Sequence, residues 1–290
     1  MADVVRLMEV VRLGQGVDRT GEFAPGALQR TLDATERYAT LCREHGIEAV
    51  RFVATSATRD ARNRDEFLDG VRTRLGVSPE VISGTEEAAL SFVGAVRILD
   101  AADGGRALVV DIGGGSTELV VGDASAGTPI ASISLDIGCV RMTERHLASD
   151  PPSDAEIAAA RADIQAALER AALAVPLHQA GTLVGVAGSV TTVTAHSLRL
   201  EGYRPEAIDG ARLPVPEVLA SCSELLTMSR AERAALPYMH PGRVDVIGAG
   251  ALVWSEIVAR VAADAGLADV TTSEHDILDG IALSVLARLS

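Results

Sequence analysis

"RALVVDIGGGSTELVVGD", residues 106–123, sets two apolar runs around three consecutive glycines, with Asp111 before them and Glu118 after. Runs rich in β-branched residues read as strands. A strand followed by Gly-x-Gly ordinarily announces a dinucleotide fold, in which the glycines open a helix. Here they lead into "STELVVG", which is again β-branched, so the glycines form the tip of a hairpin. Three readings compete for that tip: a phosphate cradle, a metal clip, or a tight turn with solvated acids. Taking Gly114 and Gly115 as a two-residue loop places Asp111 directly opposite Glu118. The Cβ atoms of such a pair lie roughly 4.5–5.5 Å apart, where two like charges repel. A cation between them relieves this, and Mg²⁺ suits the site because it is often held by one or two carboxylates plus substrate phosphates. The successive N–H groups of Gly113, Gly114, Gly115 and Ser116 can meanwhile converge on a phosphate oxygen. A one-residue slip in register separates the acids and leaves only the turn.

Before this hairpin the chain reads strand, helix, strand, helix, strand, helix. "RLMEVVRLGQGV" (6–17) looks like a strand running into a turn, and "IEAVRFVATSAT" (47–58) and "PEVIS" (79–83) are further β-branched runs. Between them Leu28, Leu32, Thr35, Ala39 and Cys42 recur at helical spacing up to Gly46, and Asn63 can cap a helix carrying Phe67, Val71 and Leu75 up to Gly76. A third helix is expected from Glu86 to about Leu99. "DAADGG" (100–105) is small and polar, the natural linker, so the first domain is drawn as 1–103 and the second as 104–275. The second continues with a strand at 129–138, an alanine-rich helix over 154–175, and a strand and loop at 182–188 that precede a helix. A helical stretch over 216–236 follows, in which Ser229 and Glu232 have capping-box spacing. A glycine turn at 247–251 then opens a helix, and a last strand and helix close the chain; the helix at 276–290 is a candidate to pack on the first domain. Alternating strands and helices on both sides of a linker indicate an α/β protein of two similar halves. Only the second half opens with a hairpin.

With 290 residues, 48% of them hydrophobic and 23% charged, the chain is globular. Its net charge of -14 argues against nucleic acid or a membrane surface as a partner, since either is repelled over most of the surface. All 26 basic residues are arginine. A phosphate loop of the G-x-x-x-x-G-K-[ST] type is therefore excluded, and so is a Schiff-base lysine. A polyanionic ligand must be met by arginine, backbone N–H groups or a metal. Cys42, Cys139 and Cys222 form no C-x-x-C pair. They read as buried small side chains in a reducing cytoplasm. Residues 171–198 lack Asp, Glu and Arg, but their histidines, glycines and hydroxyls mark globular core and not a membrane span.

Two further stretches carry chemistry. In "VISGTEEAAL" (81–90) Ser83 and Glu86 have capping-box spacing, which leaves Glu87 without a local task. A carboxylate at a strand-to-helix junction can deprotonate a water for attack on phosphorus, or simply favour the helix dipole. In "FVATSATRDARN" (52–63) Arg59 offers a planar fork to phosphate oxygens, or a surface pair to Asp60 or Asp65. "GVAGSVTTV" (185–193) reads equally as an anion site at a helix N-terminus and as a capped core helix. His275 and Asp276 read as capping residues.

Together these motifs resemble the exopolyphosphatase and guanosine pentaphosphate phosphohydrolase family. "ATSATRDARN", "VISGTEEAALSFVGA", "LVVDIGGGSTELVVG", "IGCVRMTE" and "GRVDVIGAGA" occur in that family's order across nearly the whole chain. The resemblance implies a duplicated actin-like, ribonuclease-H-like α/β fold of two domains with a cleft between them. It implies Glu87 as catalytic base and Arg59 as a phosphate-binding arginine. Asp111 and Glu118 match the magnesium-associated acids, and Gly113, Gly114, Gly115 and Ser116 the second phosphate loop. The implied activity is Mg²⁺-dependent release of phosphate from the end of inorganic polyphosphate in the cytoplasm. Guanosine pentaphosphate is the alternative substrate, and a non-catalytic alarmone or nucleotide sensor the alternative class. A kinase of related fold fits less well, because Glu87 points to water activation. Oligomeric state stays open, a homodimer included. One departure concerns the family's opening phosphate hairpin, D-x-G-[ST]-N-S, which does not occur here; the expectation is that Met1 is internal to a longer reading frame.

Overall fold

A computed structural model describes residues 3–99 and 105–289. Two compact units emerge, one ending at Val81 and the other beginning at Ile82. Most of the expected linker, residues 100–104, and with it the boundary drawn at 103, lies outside the described residues.

The first unit runs α1 (Val17–Thr20), α2 (Pro25–Glu44), β1 (Val53–Ala54), α3 (Ser56–Asp60), α4 (Arg64–Leu75) and β2 (Glu80–Val81). Its helices follow the expected periodicity: α2 buries Leu32, Thr35 and Ala39, and α4 buries Phe67 and Val71 before stopping at Gly76, whose φ is 77°. Asn63 precedes α4, yet its side chain does not cap it. Oδ1 accepts the Phe23 N–H at 2.8 Å and Nδ2 donates to the Phe23 carbonyl at 3.2 Å, which ties α4 to the approach of α2. Val17, Phe23, Leu32, Ala54, Ala61, Phe67 and Val71 form the core. The expected strands are the main difference. Residues 6–12 have no regular structure, 47–58 yields only β1 before turning into α3, and 79–83 yields only β2. A β-branched run becomes a strand only where a neighbour takes up its N–H and C=O groups. Among the described residues β1 and β2 pair in parallel with each other alone. Val4, Val5, Leu7 and Met8 accordingly stay exposed.

The second unit opens with α5 (Gly84–Ala95), then β3 (Arg106–Ile112), β4 (Thr117–Asp123), β5 (Thr128–Leu135), α6 (Cys139–His146), α7 (Asp154–Ala174) and β6 (Thr182–Val186). It continues through α8 (Ala187–Ser197), α9 (Pro205–Ile208), β7 (Arg212–Pro214), α10 (Val215–Thr227), α11 (Arg230–Ala234), α12 (Ile247–Ala265), β8 (Asp269–Thr272) and α13 (Ile277–Leu289). The six strands lie in the order β5-β4-β3-β6-β8-β7. β3, β4 and β5 are antiparallel neighbours, β6 and β8 join β3 in parallel, and β7 closes the far edge antiparallel to β8. This is the ribonuclease-H-like arrangement of the actin-like fold. Alternation along β3 sorts its side chains to two layers. Leu108, Val110 and Ile112 join the large core with Ile164 and Leu168 of α7 and Leu252 and Ile257 of α12. Ala107 and Val109 face Ala88, Phe92 and Ala95 of α5. Asp111 has the parity of Ala107 and Val109, so the strand period delivers it to the α5 layer.

Several local readings change. β6 passes into α8 without a loop, through Ala187 at a φ of 67°. Residues 216–236 divide into α10 and α11, and Ser229 and Glu232 do form the capping box at the start of α11. "IGAGA" is not a turn; it is the first turn of α12, where glycine permits close packing, since a Cβ on Gly250 would lie 2.3 Å from Ser189 Oγ. β7 is a three-residue edge strand ending in proline, too short to show a period. α13 lies close against α5, because Gly94 leaves room for the Asp276 carbonyl and Gly280 for that of Leu90. Among the described residues no helix is long and apolar enough to cross a membrane.

Candidate active site

The β3–β4 register pairs Asp111 with Glu118, as a loop of Gly114 and Gly115 requires. Directly opposite residues share a face, so both acids lie in the α5 layer. There α5 offers Glu87 and Ser91, one turn apart on one helix face. All four side chains are inside the protein: Glu87 is 8% exposed, Ser91 0%, Asp111 7% and Glu118 1%. Ser91 Oγ donates to Asp111 Oδ2 at 2.5 Å. Ser134 stands opposite Glu118 on β5 and donates from its Oγ to Oε1 at 2.6 Å.

Burial disfavours a charged carboxylate, and a second negative charge adds to the effect. Burial lifts the Asp111 carboxyl to about 7, with Asp276 and Glu87 adding repulsion and the Ser91 hydrogen bond opposing it. Burial likewise lifts Glu118 to about 8, helped by Glu87 and Asp111 and opposed by Ser134 and Ser116. Among the described residues no three His, Cys, Asp or Glu side chains gather closely enough to enclose a metal by themselves. What the hairpin offers instead is two hard oxygen donors in a field of one sign. That fits Mg²⁺, which keeps several waters and needs only one or two carboxylates beside a phosphate ligand.

The hairpin tip is oriented by α6. The carbonyl of Gly113 accepts from the Cys139 N–H at 2.9 Å, that of Gly114 from Val140 at 2.9 Å and Arg141 at 3.1 Å, and that of Gly115 from Gly138 at 3.3 Å. Arg141 Nε adds a bond to the Gly115 carbonyl at 2.7 Å. In a planar trans peptide the N–H points opposite to the C=O. The amides of Gly114, Gly115 and Ser116 are therefore turned away from α6, and among the described residues none of the three has an acceptor. Gly138 makes this contact sterically feasible, since a Cβ there would lie 2.3 Å from the Gly114 carbonyl oxygen.

The structure thus brings Glu87, Asp111, Glu118 and the loop from Gly113 to Ser116 together in the second unit. Arg59 lies in the last turn of α3, in the first. The N-terminus of α8 has no side-chain cap, and its body from Ser189 to His196 is buried core. Asp276 does cap α13, its Oδ1 accepting the Leu278 N–H at 2.9 Å, whereas His275 Nδ1 pairs with Asp279 at 2.9 Å. Sequence reading missed Ser91 and Ser134. The first is visible as the residue four beyond Glu87, the second only by extending the register from β4 to β5.

The chain is 50% identical over 288 residues to Exopolyphosphatase 2 of Mycobacterium tuberculosis, covering 98% of this chain and 89% of that protein. It is 31% identical over 247 residues to the guanosine-5'-triphosphate,3'-diphosphate pyrophosphatase of Aeromonas salmonicida, covering 85% of this chain and 48% of that one. The crystal structure of a protein described as exopolyphosphatase-like superposes with a TM-score of 0.97 at 46% identity, covering 100% of this chain and 94% of that one. A match to one family extends over residues 1–285, and on it the chain belongs to the Ppx/GppA phosphatase family.

Proposed function

We propose that this chain hydrolyses the terminal phosphoanhydride of inorganic polyphosphate and releases phosphate. The observation that carries the reading is the hairpin itself: three amides on its tip that have no acceptor among the described residues, two buried carboxylates across its ladder, and a third, Glu87, on the helix beside them. Gly114, Gly115 and Ser116 donate to oxygens of the transferring phosphoryl group, whose charge rises in the transition state. Glu87 orients a water and accepts its proton as oxygen attacks phosphorus. Arg59 meets a further phosphate with its planar fork. Asp111 and Glu118 would hold Mg²⁺, which when bound neutralises charge on the phosphate oxygens. Cytoplasmic residence is part of this reading, on the ground that Cys42, Cys139 and Cys222 are widely spaced and form no C-x-x-C pair.

Guanosine pentaphosphate is the second reading, favoured by the 31% identity to the Aeromonas pyrophosphatase. The test compares phosphate release from the two substrates by the parent, Glu87→Gln and Asp111→Asn. Glu87→Gln is expected to lower kcat by about 10²–10⁴-fold, the usual contribution of a general base. Undiminished hydrolysis in that variant overturns the mechanism. Binding without turnover of either substrate favours a sensor.

A further inference from the structure

We infer that Ser91 and Ser134 are positioning residues that hold the two acids in the pose a divalent cation requires, an inference that rests on the metal reading above. Asp111 and Glu118 face each other in a buried space with charges of one sign around them, so each carboxylate gains by rotating away from the other. A hydroxyl bond stops that rotation. Ser91 takes Oδ2 of Asp111 at 2.5 Å and Ser134 takes Oε1 of Glu118 at 2.6 Å. Each bond fixes a carboxylate plane, as outer-shell partners of metal ligands do, and the bond to Asp111 uses Oδ2 and leaves Oδ1 for an external ligand.

Ser91 has a second consequence. Much of the contact between α5 and the sheet is apolar, with Ala88, Phe92 and Ala95 against Val109 and Val120. Such packing is non-directional and sets how close the helix lies. The bond from Ser91 to a carboxylate is directional, so it sets the rotation of α5 about its axis. Glu87 lies one turn earlier on the same face, and its position relative to Asp111 is fixed by the same bond.

The test titrates Mn²⁺ into the metal-free full chain without substrate and follows free Mn²⁺ by electron paramagnetic resonance. The parent is compared with Asp111→Asn, Ser91→Ala, Ser134→Ala and Ser134→Thr. Each alanine variant is expected to weaken Mn²⁺ binding about 10–100-fold, the range found for outer-shell partners. Ser134→Thr keeps the hydroxyl on a strand that accepts β-branching, and it restores binding. In phosphate release, Ser91→Ala lowers kcat more than it raises KM, because Glu87 shifts with the helix. If Asp111→Asn loses Mn²⁺ while both alanine variants bind like the parent, the positioning role is overturned and the metal reading survives. If Asp111→Asn itself binds like the parent, the metal reading falls and the inference with it. Should Ser91→Ala not fold, the two Ser134 variants decide the matter.

Discussion

In the unfolded chain the Asp111 and Glu118 carboxyls ionise near 3.8 and 4.5, but in the folded chain only near about 7 and about 8. Between these limits the folded state binds more protons than the unfolded one, so stability falls as pH rises. The favourable contribution is complete below about pH 4 and lost by about pH 8. Calorimetry in chelator should show Tm falling steadily from pH 5 to pH 8.5, by the equivalent of a few kcal/mol, since each tenfold change in proton affinity is worth about 1.4 kcal/mol. Millimolar Mg²⁺ should reverse the fall most strongly at the alkaline end, and Asp111→Asn should flatten it and raise the metal-free Tm at pH 8. A metal-free Tm that holds level over this range contradicts the burial of ionising acids. At this scale the acids are legible in sequence because a two-residue loop of Gly114 and Gly115 places them opposite each other, the register that the structure adopts. Ser91 and Ser134 are not, because a lone serine acquires meaning only from the partner that tertiary structure brings to it.

Elements differ in how much of their stability is local. The Ser153 hydroxyl accepts the Glu156 N–H, and the Glu156 side chain returns to the Ser153 N–H at 2.7 Å, which completes a capping box on α7. Ser153→Ala is expected to cost about 1 kcal/mol in denaturant titration and leave phosphate release unchanged. Gly138→Ala is the contrasting case, because the added Cβ meets the Gly114 carbonyl oxygen at 2.3 Å. Here both stability and kcat should drop, by about 1–3 kcal/mol for the steric conflict. A Gly138→Ala chain of parental activity would show that the tip tolerates displacement. The long helices α7 and α12 are legible from their period, whereas the short α6 and α9 are not, and 216–236 divides into α10 and α11. "IGAGA" misleads because glycine marks a turn and a close helix contact with the same letter, and only the neighbour, Ser189, distinguishes them.

For the molecule as a whole, the two units are supported unequally. The first rests on one small core around Phe23 and Phe67, whose rings meet edge to face at 5.9 Å, and on a sheet of two short strands. Phe67→Ala should cost about 3–5 kcal/mol. Hydrogen exchange should then show residues 3–81 losing protection before β3, β4 and β6. Uniform loss of protection would show a single cooperative body. The α/β class and the second-half sheet are legible because each strand has its partner nearby in sequence or across a recognisable helix. The strands expected in the first half are shorter or missing, since a β-branched run states a preference and only a paired neighbour makes it a strand. The tip from Gly114 to Ser116 bears on how substrate choice diverges. Its donors are main-chain amides, identical in chemistry whatever the sequence, and on the function proposed above they would recognise a phosphate without regard to what it is attached to. On that reading, a chain built this way could exchange an inorganic polymer for a nucleotide by altering residues elsewhere, with no change to the amides that would donate to the phosphate oxygens.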